Sequence, residues 1–89
     1  MASIIARQVL SEIRKIALSD AALLERRAWA TKRINQFKAD LAAACVQPIE
    51  GAEKHKESLR RALQRAATRH DLPAEENSVY AQALDVLVD

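Results

Sequence analysis

The sequence predicts an all-α protein, an antiparallel helical hairpin or bundle formed by a single domain over residues 1–89, and three observations predict it. Apolar residues recur in one heptad register along the first half: Val9, Ile13, Ile16, Leu23, Ala30, Ile34, Phe37, Leu41 and Ala44. Spacing that alternates between three and four residues defines one buried face on a helix that packs against other helices. The composition is rich in Ala, Leu, Arg, Glu and Gln, with one Gly and two Pro, which favours helix and leaves little material for hairpin turns. Proline and short polar residues stand where the apolar pattern is interrupted.

The first element is expected over about residues 3–46, with a possible break at 19–20. Ser19 or Asp20 is able to cap a new helix, because short polar side chains satisfy exposed backbone N–H groups at helix starts. Against a break, the register on either side of Ser19 is in phase and no Gly or Pro intervenes. A long helix, continuous or kinked, is therefore favoured slightly over a four-helix bundle broken at Ser19; unbroken, it would measure roughly 65 Å. Gln47-Pro48-Ile49-Glu50-Gly51 ends this element, since Pro48 disfavours helical geometry in the residue before it and suits the first turn of the next helix.

A return helix is expected over 48–70, where Ile49, Ala52, Leu59, Leu63 and Ala66 continue the seam, Lys56 falls within it, and Ala62 and Ala67 widen it. Asp71-Leu72-Pro73 supplies a capping carboxylate and a helix-starting proline for a last helix over 73–88. Glu75 and Glu76 fall in its first turn, where acids favour the helix dipole. Val79, Tyr80, Ala83, Val86 and Leu87 form its apolar side.

Composition and charge narrow the function classes. All fourteen Lys and Arg residues lie between Arg7 and Arg69 against seven acids, a net +7, whereas from His70 onward there are five acids and no Lys or Arg, a net −5. The acidic tail either neutralises the basic body, within the fold or across a dimer, or leaves that body facing an anionic partner; a mixed solvated surface is the plainest outcome. Cys45 stands alone, so no intrachain disulfide forms and a cytoplasmic location is expected, with Cys45 a small buried hydrophobe. The first seven residues suggest neither a signal peptide nor a membrane span. His55 and His70 are too far apart on one helix to share a ligand, and no HExxH, paired-cysteine, EF-hand or glycine-rich phosphate motif is present. No catalytic residue, metal site or cofactor is therefore expected, and the chain reads as a non-enzymatic protein.

Three sets of residues are candidates for function. Leu18, Ala21, Ala22, Ala28 and Trp29 form a second apolar stripe beside the seam, with Arg26 and Arg33 flanking the only Trp. Either the last helix covers Trp29 within one subunit, or Leu18, Ala22, Arg26, Trp29 and Arg33 form a partner or dimer interface, as Trp anchors flanked by Arg commonly do. Asp20 and Arg27 sit in the seam itself: either both lie where the bundle opens to water, or they set register by pairing across an interface, Asp20 with Arg27 of a second copy or with Arg60, Arg61 or Arg65 of the return helix. Arg60, Arg61, Arg65 and Arg69 form a possible anion-binding row, although Glu50, Glu53 and Glu57 on the same helix are placed to pair with it. The sequence thus points to a protein-interaction module: a homo-oligomer that docks on another protein as an inhibitor, adaptor or chaperone-like regulator. A small bacterial or phage accessory protein would have this form. The alternative is a basic helical nucleic-acid-binding regulator.

Overall fold

The computed structural model describes residues 4–44 and 50–89. Among them are four helices and no strand: α1 (Ile4–Ala17), α2 (Leu23–Ala44), α3 (Glu50–Ala67) and α4 (Ala74–Val88). The all-α bundle is as the sequence predicts, but its first half is divided. A continuous helix of roughly 65 Å has no place in a molecule whose longest extent is 39 Å. The Leu18 N–H still donates to the Arg14 carbonyl at 3.0 Å, whereas the Ser19 N–H donates to Ile16 at 3.1 Å, a tighter three-residue spacing that closes α1. The Ser19 Oγ then accepts from the Ala21 N–H at 3.2 Å, so a short polar side chain replaces the helical partner. The heptad phase survives because this turn brings α1 and α2 back around the same core.

Hydrogen bonds between the helices fix their directions. Arg33 pairs with Glu12 and Arg26 reaches Ala17, so α1 and α2 run antiparallel. Asn77 reaches Ala66 and Arg69, so α3 and α4 do the same. The two hairpins lie side by side with α2 parallel to α4, since Arg26 meets Glu75, Arg27 meets Gln82, and Lys38 meets Val86 and Asp89. It follows that α1 and α3 also run the same way. Contacts join α1 to α4 across the short diagonal, whereas α2 and α3 scarcely touch. α3 thus returns antiparallel to α2 without packing along it, and α4, parallel to α2, is the helix that packs there.

The core lies where the four apolar stripes converge. Ala6, Val9, Ile13 and Ala17 meet Ala30, Ile34 and Phe37, with Leu59 and Leu63 from α3 and Val79, Tyr80, Ala83 and Leu87 from α4. Ile16, Leu23 and Leu41, also seam positions, pack at its margin. Each fully buried Leu, Ile or Phe is worth about 1.5–3 kcal/mol.

Helix ends are satisfied across the fold as well as locally, where the Thr68 hydroxyl donates to the Gln64 and Arg65 carbonyls at the end of α3. An αL residue at C′, usually Gly, is a common C-cap, yet the one glycine, Gly51, lies near the start of α3 and no described residue has positive φ. Side-chain donors from other helices serve instead. Arg26 Nη1 on α2 donates to the Ala17 carbonyl of α1 at 3.1 Å. Asn77 Nδ2 on α4 donates to the Ala66 and Arg69 carbonyls at the end of α3, at 2.9 and 3.1 Å. Lys38 Nζ on α2 donates to Val86 and Asp89 at the end of α4, at 3.0 and 3.2 Å. Carbonyls left over at helix ends need donors, and cations there also suit the dipole.

Two boundaries differ from expectation. α3 ends at Ala67, where Thr68 and Arg69 N–H groups turn to the Arg65 and Ala66 carbonyls. α4 begins at Ala74 with Pro73 as its N-cap and no side-chain capping bond, because the Asp71 carboxylate is held by Arg69 instead. The expected turn at Pro48 and the setting of Cys45 lie outside the described residues.

Candidate functional site

Within a single chain the two charges placed in the seam do not pair with each other, and both are exposed. Division of the first helix leaves Asp20 exposed in the α1–α2 turn, away from the interface where it would need a partner. Arg27 is exposed at the edge of α2 and donates to Gln82 Oε1 on α4 at 2.7 Å; Gln82 in turn donates to Thr31 Oγ1. Neither Arg60, Arg61 nor Arg65 reaches Asp20. The buried cation is Arg26, 8% exposed. It stands one residue from the predicted seam position and connects three helices, holding Ala17 of α1 and Glu75 of α4, the latter at 2.6 Å. Its Nε is buried without a partner. Arg26 is therefore an internal tie and not part of an exposed interface.

The rest of the predicted interface remains open. Trp29 is 44% exposed and Leu18 58%. Ala22, the residue before α2, and Trp29 lie seven residues apart, both exposed, on the flank that also carries Arg26 and Arg33. Arg33, on the same flank, is half-buried and its Nε pairs with Glu12 of α1, which places a polar bridge beside the indole. Arg33 Nη1 is buried and has no partner. The reading in which the last helix covers Trp29 is corrected by the packing: α4 sits on the opposite flank of α2, where Arg27, Thr31 and Lys38 meet it. Leu24, also on that opposite flank, is 78% exposed.

The arginine row along α3 and the turn after it is mostly occupied. Glu57 accepts from Arg60 at 2.5 and 2.9 Å and from Arg61 at 3.0 Å. The Arg60 bonds do most to lower the Glu57 pKa, to about 2, with Arg61 assisting against a partial loss of solvent. Arg69 holds Asp71 through two bonds, at 2.9 and 2.5 Å, and this holds the Asp71 carboxyl below its ordinary range. Of the four, only the Arg65 guanidinium lacks an ion pair or hydrogen bond among the described residues.

A second arginine joins Arg65 from a helix the sequence did not connect with it. A groove of about 410 Å³ between α1 and α3 is lined by Leu10, Arg14, Ala62, Arg65, Ala66, Arg69, Leu72 and Tyr80. The Arg14 side chain also makes no ion pair or hydrogen bond among the described residues. Burial pushes the Tyr80 phenol up, while Arg14 and Arg69 draw it down and Glu76 adds to the rise. The spacing of Arg7, Leu10 and Arg14 along one side of α1 was visible in the sequence, but its placement beside α3 required the topology.

No group of three His, Cys, Asp or Glu side chains placed to hold a metal occurs among the described residues. No described helix is long and apolar enough to cross a membrane. No protein-family model, curated protein or solved structure matches the chain.

Proposed function

We propose that the chain is a non-enzymatic protein-interaction module that self-associates through the outer α1–α2 face around Trp29 and acts on a partner protein as an inhibitor, adaptor or chaperone-like regulator. The observation that carries this reading is the exposure of Trp29 at 44% in a bundle whose other aromatics, Phe37 and Tyr80, are buried. A large amphipathic ring left at the surface, beside small Ala22 and the Glu12–Arg33 bridge, has the composition of an interface anchor with a polar surround. The small side chain at Ala22 allows a second helix to approach closely. A twofold pairing of this face with itself is the simplest way to cover it.

Sedimentation velocity over a dilution series tests the reading. The wild type is expected to pass from dimer to monomer, and Trp29→Ala to remain monomeric with unchanged helical circular dichroism. A wild type that is monomeric throughout, or a variant that associates as well as the wild type, counts against it. The nucleic-acid alternative is weakened by the pairing of Arg60, Arg61 and Arg69 with carboxylates of the same chain. Titration with duplex and single-stranded DNA at two salt concentrations separates the two readings, since tight and steeply salt-dependent binding would replace the first with the second.

A further inference from the structure

We propose that the groove between α1 and α3 binds a small phosphate monoester carried on an apolar body about the size of one aromatic ring. Its volume, about 410 Å³, is within the range of small-molecule sites. Arg14 enters it from α1 and Arg65 from α3, and neither guanidinium is neutralised among the described residues. Two uncompensated cations facing one volume match the two negative charges that a phosphate monoester carries above its second ionisation at about pH 6. A carboxylate would answer only one of them. Guanidinium groups also bind phosphate oxygens in a two-pronged geometry that favours phosphate over a spherical anion.

The floor supplies the rest of the specificity. Leu10, Ala62, Ala66 and Leu72 give it apolar surface, and the largely buried Tyr80 completes the lining. The Tyr80 hydroxyl makes no hydrogen bond among the described residues, yet it is not shut off from solvent, so it is available as a donor to a molecule in the groove. Arg69 also lines the groove, its charge already shared with Asp71. Trp29 lies on the α2 side of α1 and takes no part, so this proposal and the interaction reading stand or fall separately.

Amide NMR titration of the full chain with phenyl phosphate is the test, with inorganic phosphate, benzoate and a hexaglutamate peptide as comparison ligands. Saturable shifts are expected at Leu10, Ala62, Ala66 and Tyr80. Arg14→Gln and Arg65→Gln should each weaken binding about tenfold, and Tyr80→Phe about threefold, because each guanidinium brings a full charge and several donors whereas the phenol brings one uncharged donor. Lys32→Gln and Lys54→Gln, which remove the same charge elsewhere, should leave affinity unchanged. Inorganic phosphate and benzoate should each bind about tenfold more weakly, for want of the apolar body and of the second charge respectively. The proposal is overturned by an absence of saturable shifts, by equal losses in the lysine variants, by equal affinity for either fragment, or by hexaglutamate binding as tightly, which would reassign the groove to acidic peptides.

Discussion

Arg26 shows how one side chain comes to connect three helices. Its guanidinium is planar and has five donors, so one edge can serve the α1 carboxyl end at Ala17 while another meets Glu75 in the first turn of α4. The two partners are not equivalent. The Glu75 side chain is 61% exposed and remains solvated when its partner is lost, whereas the bond to Ala17 is buried. In urea denaturation Arg26→Ala is therefore expected to destabilise the fold by about 2–3 kcal/mol, and Glu75→Ala by about 1–2 kcal/mol, since the latter leaves the buried guanidinium without its carboxylate but with the Ala17 bond. Equal losses would show that the ion pair, not the helix-end bond, is what Arg26 contributes. Glu57 allows a second test at the same scale. Because its folded-state pKa is lowered, its favourable interaction with Arg60 and Arg61 is fully present above the ordinary carboxylate pKa and is lost as pH falls through about 2. Arg60→Gln removes the largest cause of that shift. Carboxyl-detected NMR titration should then find the Glu57 pKa moved up toward the usual carboxylate range, with only a smaller displacement in Arg61→Gln.

The elements themselves were legible to different degrees, and the differences have physical causes. Seam residues such as Ile13, Ile34 and Phe37 are buried as the heptad spacing predicts, because helix period and burial are local properties of the chain. The pairing of Glu57 with Arg60 and Arg61 was legible for the same reason, at three- and four-residue spacing. The break after Ala17 was legible only as the less favoured alternative, from Ser19 and Asp20 as capping residues. It has no Gly or Pro, preserves the heptad phase, and is secured by Arg26, nine residues on, through a contact that only the folded hairpin creates. The α1–α3 groove was hidden, since nothing in the sequence says that Arg14 and Arg65 become neighbours. Helix ends capped from a distance make the hairpins cooperative, and Asn77 is the clearest case. Its amide donates twice to the end of α3, so Asn77→Ala should cost about 1–2 kcal/mol in urea or thermal unfolding. Asn77→Asp should cost more, because a carboxylate has no donor and would face the carbonyl oxygens at the negative end of the helix. An aspartate as stable as the alanine variant would remove the argument that donation to those carbonyls is what matters.

For the molecule as a whole, the rhombic arrangement gives α1 and α4 three neighbours each and leaves α2 with two, so α2 presents more of its circumference to solvent. That is where Trp29 lies. In an isolated bundle this exposure contributes little to stability, because a ring that is 44% exposed has already kept much of its contact with water. If the face is covered by a second copy, the consequences for folding and for association separate. Dimer formation stabilises the folded state by mass action, so the wild-type thermal midpoint should rise with protein concentration. In Trp29→Ala that dependence should vanish, while the midpoint at high dilution should stay near the wild-type value, a change of less than about 1 kcal/mol in stability. The dimer dissociation constant should weaken about thirtyfold or more, the loss typical of an anchor residue. Scanning calorimetry at several concentrations distinguishes this from the purely structural case, in which Trp29→Ala would lower the midpoint equally at every concentration and leave its concentration dependence unchanged.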